Sequence, residues 1–346
     1  MRYSIFILIF HLLNLFSSAD ANNKYPIVLI HGFIGWGPEE MGGYNYWGGN
    51  YSYVEYLDSL GYEVYNVSVG PISSNWDCAV EAYYQIKGGQ VDYGERHSKQ
   101  YGIIQKPAGK KWPGLYPEWD IDHPIHIIGH SMGGLVSRSA LFYGKQNLYQ
   151  WVHMVENLVC IGSPHHGAVL ERFGFILQDK LGAFPFISLI GQLVNVRSNG
   201  ILDLRYGSVR DDDWEHNDAR IGFADDNRKP APLPSHINTF LIAGTLEFEK
   251  VKNKALKVIG DYLVSVKSAL GEHPNPRFQL KLPDTHKAVF YGLNHFEIQY
   301  HSSVAEQITR WLYPEVGEVI EDGVQTHMIN VPNNYTFDDL EGIVET

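Results

Sequence analysis

The sequence predicts an α/β fold: a mostly parallel central sheet flanked by helices, with an apolar cover inserted late in the chain. Three observations carry this. Short apolar runs alternate with helix-like segments over most of the chain. One of those junctions, "GHSMGG" at Gly129–Gly134, has the spacing of a sharp strand-to-helix turn. One long stretch, about residues 168–235, breaks the alternation and reads as an insertion between two core strands.

The elements follow in order. Residues 1–21 open with Arg2, continue as an apolar run from Ile5 to Phe16, and end in Ala19-Asp20-Ala21. This is the layout of a secretory signal peptide, which implies an extracellular protein. The apolar core is short for a membrane span, and His11 and Asn14 interrupt it. No later segment has the length and apolarity of a transmembrane helix. "YPIVLIHG" is a buried strand ending in glycine, and "YEVYNVSV" alternates as a second strand. Ser73, Ser74 and Asn75 precede "WDCAVEAYYQIKGG" and can cap a helix there. "PIHIIGHS" is a strand and "MGGLVSRSALFYG" a helix. "NLVCIGSP" and "NTFLIAG" are strands that flank the insertion. "AVFYGLNH" reads as the last strand, and "SSVAEQITRWLY" as a closing helix. The main domain therefore spans 22–315. Residues 316–346 turn acidic, lose periodicity and read as a peripheral tail.

Composition bounds the partners. The 346 residues carry a net charge of −12, which disfavours a nucleic-acid partner. Two cysteines, Cys78 and Cys160, make no disulfide framework. They are either one bridge or two buried thiols. Sequons occur at Asn50, Asn66 and Asn334.

The chemistry centres on Ser131. Gly-x-Ser-x-Gly between a strand and a helix puts a serine on a strained turn, with glycines that let neighbouring backbones approach. The following helix aims its N-terminus at the site and favours a developing oxyanion. A serine hydroxyl is a weak nucleophile and needs a base. His295, in "YGLNHFEI", follows a strand and precedes a helix, where such a base belongs. The oxyanion needs two backbone N–H donors. Met132, after the nucleophile, supplies one, and Phe33 in "IHGF" the other. The acid that orients His295 should follow "NTFLIAGT". Asp261 and Asp284 remain, with Glu247, Glu249 and Glu272 behind them.

The phrases "IVLIHGFIGWGPEEMGGYNYWGG", "GYEVYNVSVGPISSNWDCAVEAYYQIKGGQVDYGERH", "WPGLYPE" and "IHIIGHSMGG" follow one another as they do in the secreted true lipases of the thermostable bacillus type. The chain also resembles the related staphylococcal lipases, again at "IGSPHHG" and "NHFEI". The resemblance implies an α/β-hydrolase fold and hydrolysis of lipid carboxylic esters at a lipid–water interface, with no cofactor needed for catalysis. It implies that the insertion is a lid. It favours Asp261, because "GDYLVSVKSALG" is similar to the family's acid phrase, with Gly260 in place of Asn and Tyr262 in place of Gly. It also implies a structural zinc. Asp77, His97 and Asp203 match three ligands, while Ile103 stands where the fourth, a histidine, is expected. Glu297 matches part of a calcium site, and Ser302 replaces its Asp. A soluble short-chain carboxylesterase, an acyltransferase and a non-catalytic binding protein of the same fold are the rival readings.

Overall fold

The computed structural model describes residues 24–144, 153–168, 233–246, 260–261, 263–273, 276, 279–314 and 322–329. Among the described residues seven strands form one sheet, in the order β2-β1-β5-β6-β7-β8-β9. They are β1 (Ile27–Ile30), β2 (Val64–Val67), β5 (Ile125–His130), β6 (Val155–Ile161), β7 (Asn238–Thr245), β8 (Lys287–Tyr291) and β9 (Gln325–Met328). Every pairing in it is parallel. A two-stranded antiparallel ribbon, β3 (Gly89–Gln90) and β4 (Lys111–Trp112), lies apart.

The apolar runs become strands because both faces of a parallel sheet are covered. Along β1, Val28 and Ile30 join one apolar cluster and Ile27 and Leu29 the other. Helices Asn75–Lys87 and Met132–Gly144 cover the first face with Cys78, Ala82, Leu135 and Val136. Helices Tyr53–Ser59 and Ser302–Leu312 cover the second with Leu57, Val304, Ile308 and Trp311. The chain is thus doubly wound. Ser74 caps the helix at Asn75, its hydroxyl accepting from the Asp77 N–H. Cys78 and Cys160 are both buried on the first face with no disulfide between them, and burial pushes the Cys160 thiol up to about 12.

Strand order fixes where a site can form. From β1 the chain moves outward to β2, then returns to β5 and proceeds the other way. The crevice beyond the carboxyl ends of β1 and β5 is the switch point of such a sheet, where ligands bind. β1 runs into Gly32 and Phe33, and β5 runs into Ser131.

One reading of the sequence needs correction. "AVFYGLNH" is not the last strand. Its β8 accepts a further parallel partner, β9, through Ala288↔Gln325 to Tyr291↔Met328. β9 was missed because its four residues, Gln-Thr-His-Met, lack an apolar run. The strand holds by backbone bonding and by His327, which stacks on Phe290 at 4.3 Å and bonds Gln307 at 2.9 Å. Residues 1–21, which the sequence reads as a signal peptide, most of the insertion expected at 168–235 and most of the expected tail lie outside the described residues.

Candidate active site

Ser131 sits at the turn between β5 and the helix Met132–Gly144. Its φ is +54°, a conformation that L side chains avoid. Its N–H donates to Ile161 O at 2.8 Å, which ties the elbow to the end of β6. The flanking glycines are sterically required. A Cβ on Gly129 would come within 2.5 Å of the Gly133 backbone, and one on Gly133 within 2.1 Å of Ile30 O. A Cβ on Gly134 would meet Ser163 Oγ at 2.0 Å. The motif is thus a consequence of crowding on both sides of the serine.

Among the described residues, one other non-glycine has positive φ: Ile34, at +57°. A β-branched residue there is strained. It directly follows Phe33, so the two strained side-chain-bearing residues both belong to the candidate site. The peptide between Gly32 and Phe33 is held from its carbonyl side. His31 Nδ1–H donates to Gly32 O at 2.9 Å, and Gly35 N–H donates to the same oxygen at 3.0 Å. Peptide planarity aims the Phe33 N–H the opposite way. His31 Nε2 accepts from Val69 N–H at 3.0 Å, which fixes the tautomer. Burial lowers the His31 pKa and keeps the ring neutral.

His295 and Asp261 meet. His295 Nδ1–H donates to Asp261 Oδ2 at 2.7 Å, with both side chains buried. The backbone repeats the link, His295 N–H donating to Asp261 O at 2.9 Å. Asp261 Oδ1 accepts from Leu263 N–H at 3.1 Å and Val264 N–H at 2.8 Å. Buried carboxylate oxygens need such hydrogen-bond donors to offset the loss of water. The pair lies against the elbow: a Cβ on Gly162, the residue after β6, would stand 3.1 Å from Asp261 Oδ2 and 3.4 Å from the His295 ring. Asp284 lies elsewhere. It bonds Lys287 Nζ at 2.8 Å, with a side chain 62% exposed. Of the two acids left open by position, Asp261 is the one on His295.

The acid phrase differs from the family's at Gly260 and Tyr262. The turn takes positive φ before the acid, at Gly260 (+63°), where a Cβ would meet Val264 O at 2.3 Å. Tyr262 lies outside the described residues.

The expected metal ligands come together only in part. His97 Nε2–H donates to Asp77 Oδ1 at 2.8 Å, and Asp77 Oδ2 accepts from Ser74 Oγ at 2.8 Å. Asp203 lies outside the described residues. Ile103, in place of the fourth ligand, packs with Trp76, Tyr84 and Val91 in a small apolar cluster. Among the described residues no group of three His, Cys, Asp or Glu side chains could hold a metal. A structural zinc is closed by four ligands, so the described donors do not by themselves fit one. Glu297 is used locally, its carboxylate accepting from Asn294 N–H at 3.2 Å.

Sequence reasoning passed over two residues of the site, Tyr46 and His130. His130 adjoins Ser131 in the sequence. That adjacency was the available signal, since it places the ring under the elbow.

Comparison with known proteins agrees with this architecture. Residues 23–168 match the family model described as "Lipase-like, C-terminal domain", and residues 115–273 match "PGAP1-like alpha/beta domain". The chain is 38% identical to Lipase 2 of Staphylococcus aureus over an alignment of 180 residues, covering 44% of this chain and 25% of the relative. It is 39% identical to a lipase of Staphylococcus hyicus over 169 residues, covering 43% and 26%. The chain thus spans about a quarter of the length of these relatives. Among solved structures it resembles EstA of Clostridium botulinum (TM-score 0.58, 22% identity, 87% of this chain and 90% of that one). It also resembles lipase 1 of Pelosinus fermentans (TM-score 0.57, 23% identity, 85% and 99%) and the Staphylococcus hyicus lipase (TM-score 0.52, 22% identity, 86% and 97%). The parallel sheet, the serine elbow and these likenesses give the chain an α/β-hydrolase-type fold, similar in sequence over part of its length to the staphylococcal lipases.

Proposed function

We propose that the chain is a secreted serine esterase acting on carboxylic esters of lipids, of the triacylglycerol lipase type. The observation that carries this is the buried Asp261–His295 couple packed against an elbow whose serine has positive φ. Serine, acid and histidine follow in the chain order of α/β-hydrolases. The relatives' printed names, lipases all, support the ester class.

In this reading Ser131 Oγ attacks the acyl carbonyl. His295 Nε2 takes the hydroxyl proton and delivers it to the leaving alcohol, giving an acyl-enzyme. His295 then activates water to release the acid. Asp261 holds the Nδ1–H and stabilises the imidazolium. The Phe33 and Met132 N–H groups receive the oxyanion, aided by the helix that starts at Met132. No step is routed through a metal.

A chain-length series of esters on purified protein tests the substrate class. Hydrolysis of emulsified long-chain triacylglycerol is expected; activity confined to soluble short esters would replace lipase with carboxylesterase. Absence of fluorophosphonate labelling would sink the enzyme reading. Metal analysis of wild type beside His97→Ala tests the zinc on Asp77, His97 and Asp203.

A further inference from the structure

Four separate segments meet beneath Ser131 through one chain of hydrogen bonds. Gly32 N–H donates to Tyr46 Oη at 2.9 Å. Tyr46 Oη and His130 Nδ1 are 2.6 Å apart. His130 Nε2 lies 2.9 Å from His295 O. The chain thus runs from the loop that carries Phe33, through the elbow, to the backbone of the candidate base.

The direction of every bond is forced. A carbonyl only accepts, so His130 Nε2 carries a proton. The ring is buried and its pKa lies well below the usual value, through burial first and the neighbouring His295 second. The ring is therefore neutral, and Nδ1 is an acceptor. Tyr46 O–H must donate to it, and the hydroxyl oxygen is left to accept Gly32 N–H. One arrangement of protons satisfies all four groups.

The pieces are also packed for this. The Tyr46 ring lies edge-on to Trp36 at 5.4 Å and to Trp47 at 5.6 Å. The His130 ring lies 4.7 Å from the His295 ring. Gly32 makes the approach possible, since a Cβ there would fall 2.7 Å from Tyr46 Oη and 2.8 Å from Ser131 Cβ.

We propose that Tyr46 and His130 are a positioning pair that locks the candidate oxyanion loop and the candidate base into one register about Ser131. This rests on the serine-esterase reading. Asp261 fixes the His295 ring and its N–H, whereas His130 fixes its carbonyl, so the residue is held from both sides of its backbone. On the other side, the same chain holds the Gly32 N–H, one residue before the oxyanion donor.

Tyr46→Phe keeps the ring and removes one oxygen. It leaves the Gly32 N–H and His130 Nδ1 without partners and frees the His130 tautomer. Misplacing a reacting group by about 1 Å costs on the order of 10²-fold in rate. The expected result on a soluble short-chain ester is a fall in kcat of about 10- to 100-fold with KM within about twofold. Fluorophosphonate labelling of Ser131 should slow by a similar factor. His130→Gln, whose amide keeps a donor and an acceptor, should retain more kcat than His130→Leu. Nitrogen NMR should find His130 as the Nε2–H tautomer in wild type, and a mixture in Tyr46→Phe. A Tyr46→Phe kcat within twofold of wild type, a loss confined to KM, equal losses in the two His130 variants, or an Nδ1–H tautomer in wild type would each overturn the proposal. A wild type that neither hydrolyses esters nor labels sinks the esterase reading. In that case the tautomers of His130 in the two proteins still decide whether the link exists.

Discussion

The elbow at Gly129–Gly134 and the acid turn at Gly260–Val264 both serve the same crevice but carry strain differently. The elbow places positive φ on Ser131 itself, between glycines that neighbouring backbone forbids from being anything else. The acid turn places it on Gly260, docked at the end of β7 through Leu246 N–H to Gly260 O at 3.0 Å, and leaves Asp261 beside the strained residue. A nucleophile must project from the turn, so its own backbone bends. An acid must be surrounded, and backbone N–H groups do that whatever side chains follow. The elbow therefore writes itself into the sequence, and the acid turn scarcely does.

The largest effect breaks the elbow's side. Ser131→Ala should lower kcat by at least about 10⁴-fold, with an unchanged circular dichroism spectrum and no fluorophosphonate labelling. Retained labelling would move the nucleophile elsewhere. Next comes the acid. Asp261→Asn should lower kcat on the order of 10⁴-fold, because the amide favours the wrong imidazole tautomer. Asp284→Asn, on an exposed side chain, should stay within about twofold. A reversed pair of results would exchange the two acids.

A third test concerns pH, since several buried histidines lie along the sheet and around the site. Burial lowers His126 to about 3 and His166 to about 4, and also depresses His31, His130 and His165. Below pH 6.5 the unfolded chain binds protons that these native side chains refuse. Their stabilisation is complete above that pH and is lost as pH falls toward about 4 for His166 and about 3 for His126. Each of those two should remove about 2 kcal/mol between pH 6.5 and 5. Urea midpoints at pH 7 and pH 5 measure it, and a flat profile would mean these histidines are hydrated. The smallest effect probes the acid turn's own strain. Gly260→Ala should destabilise by about 1–3 kcal/mol, read as a drop of several degrees in Tm. An unchanged Tm would mean the turn can be rebuilt without positive φ.

The same contrast explains what was legible in the sequence. β1, β5, β6 and β7 were readable because both faces are covered, which demands continuous apolar runs. Ser131 is readable as the candidate nucleophile through its glycines; Met132 and Phe33 are read as candidate oxyanion donors because one follows the serine and the other lies in the loop after an early strand. Asp261 needed the family's phrase, since its partners Leu263 and Val264 contribute backbone alone. Tyr46 was not legible as a site residue, and His130 was legible only through its adjacency to Ser131. Tyr46 lies 84 residues from His130, and His130 lies 165 from His295. Nothing local marks a hydrogen bond across such spans. β9 escaped because a strand that pairs on one side can be polar.

That strand has a bearing on how the molecule survives in water. Without β9, the peptide groups of β8 would lie open beside the apolar Ala288, Val289 and Phe290, a template for another chain. With it, the sheet among the described residues ends on a short, mostly polar Gln-Thr-His-Met rim, with His327 lying flat over Phe290. A stretch of chain that resembles a tail in composition acts as the guard against edge-to-edge aggregation.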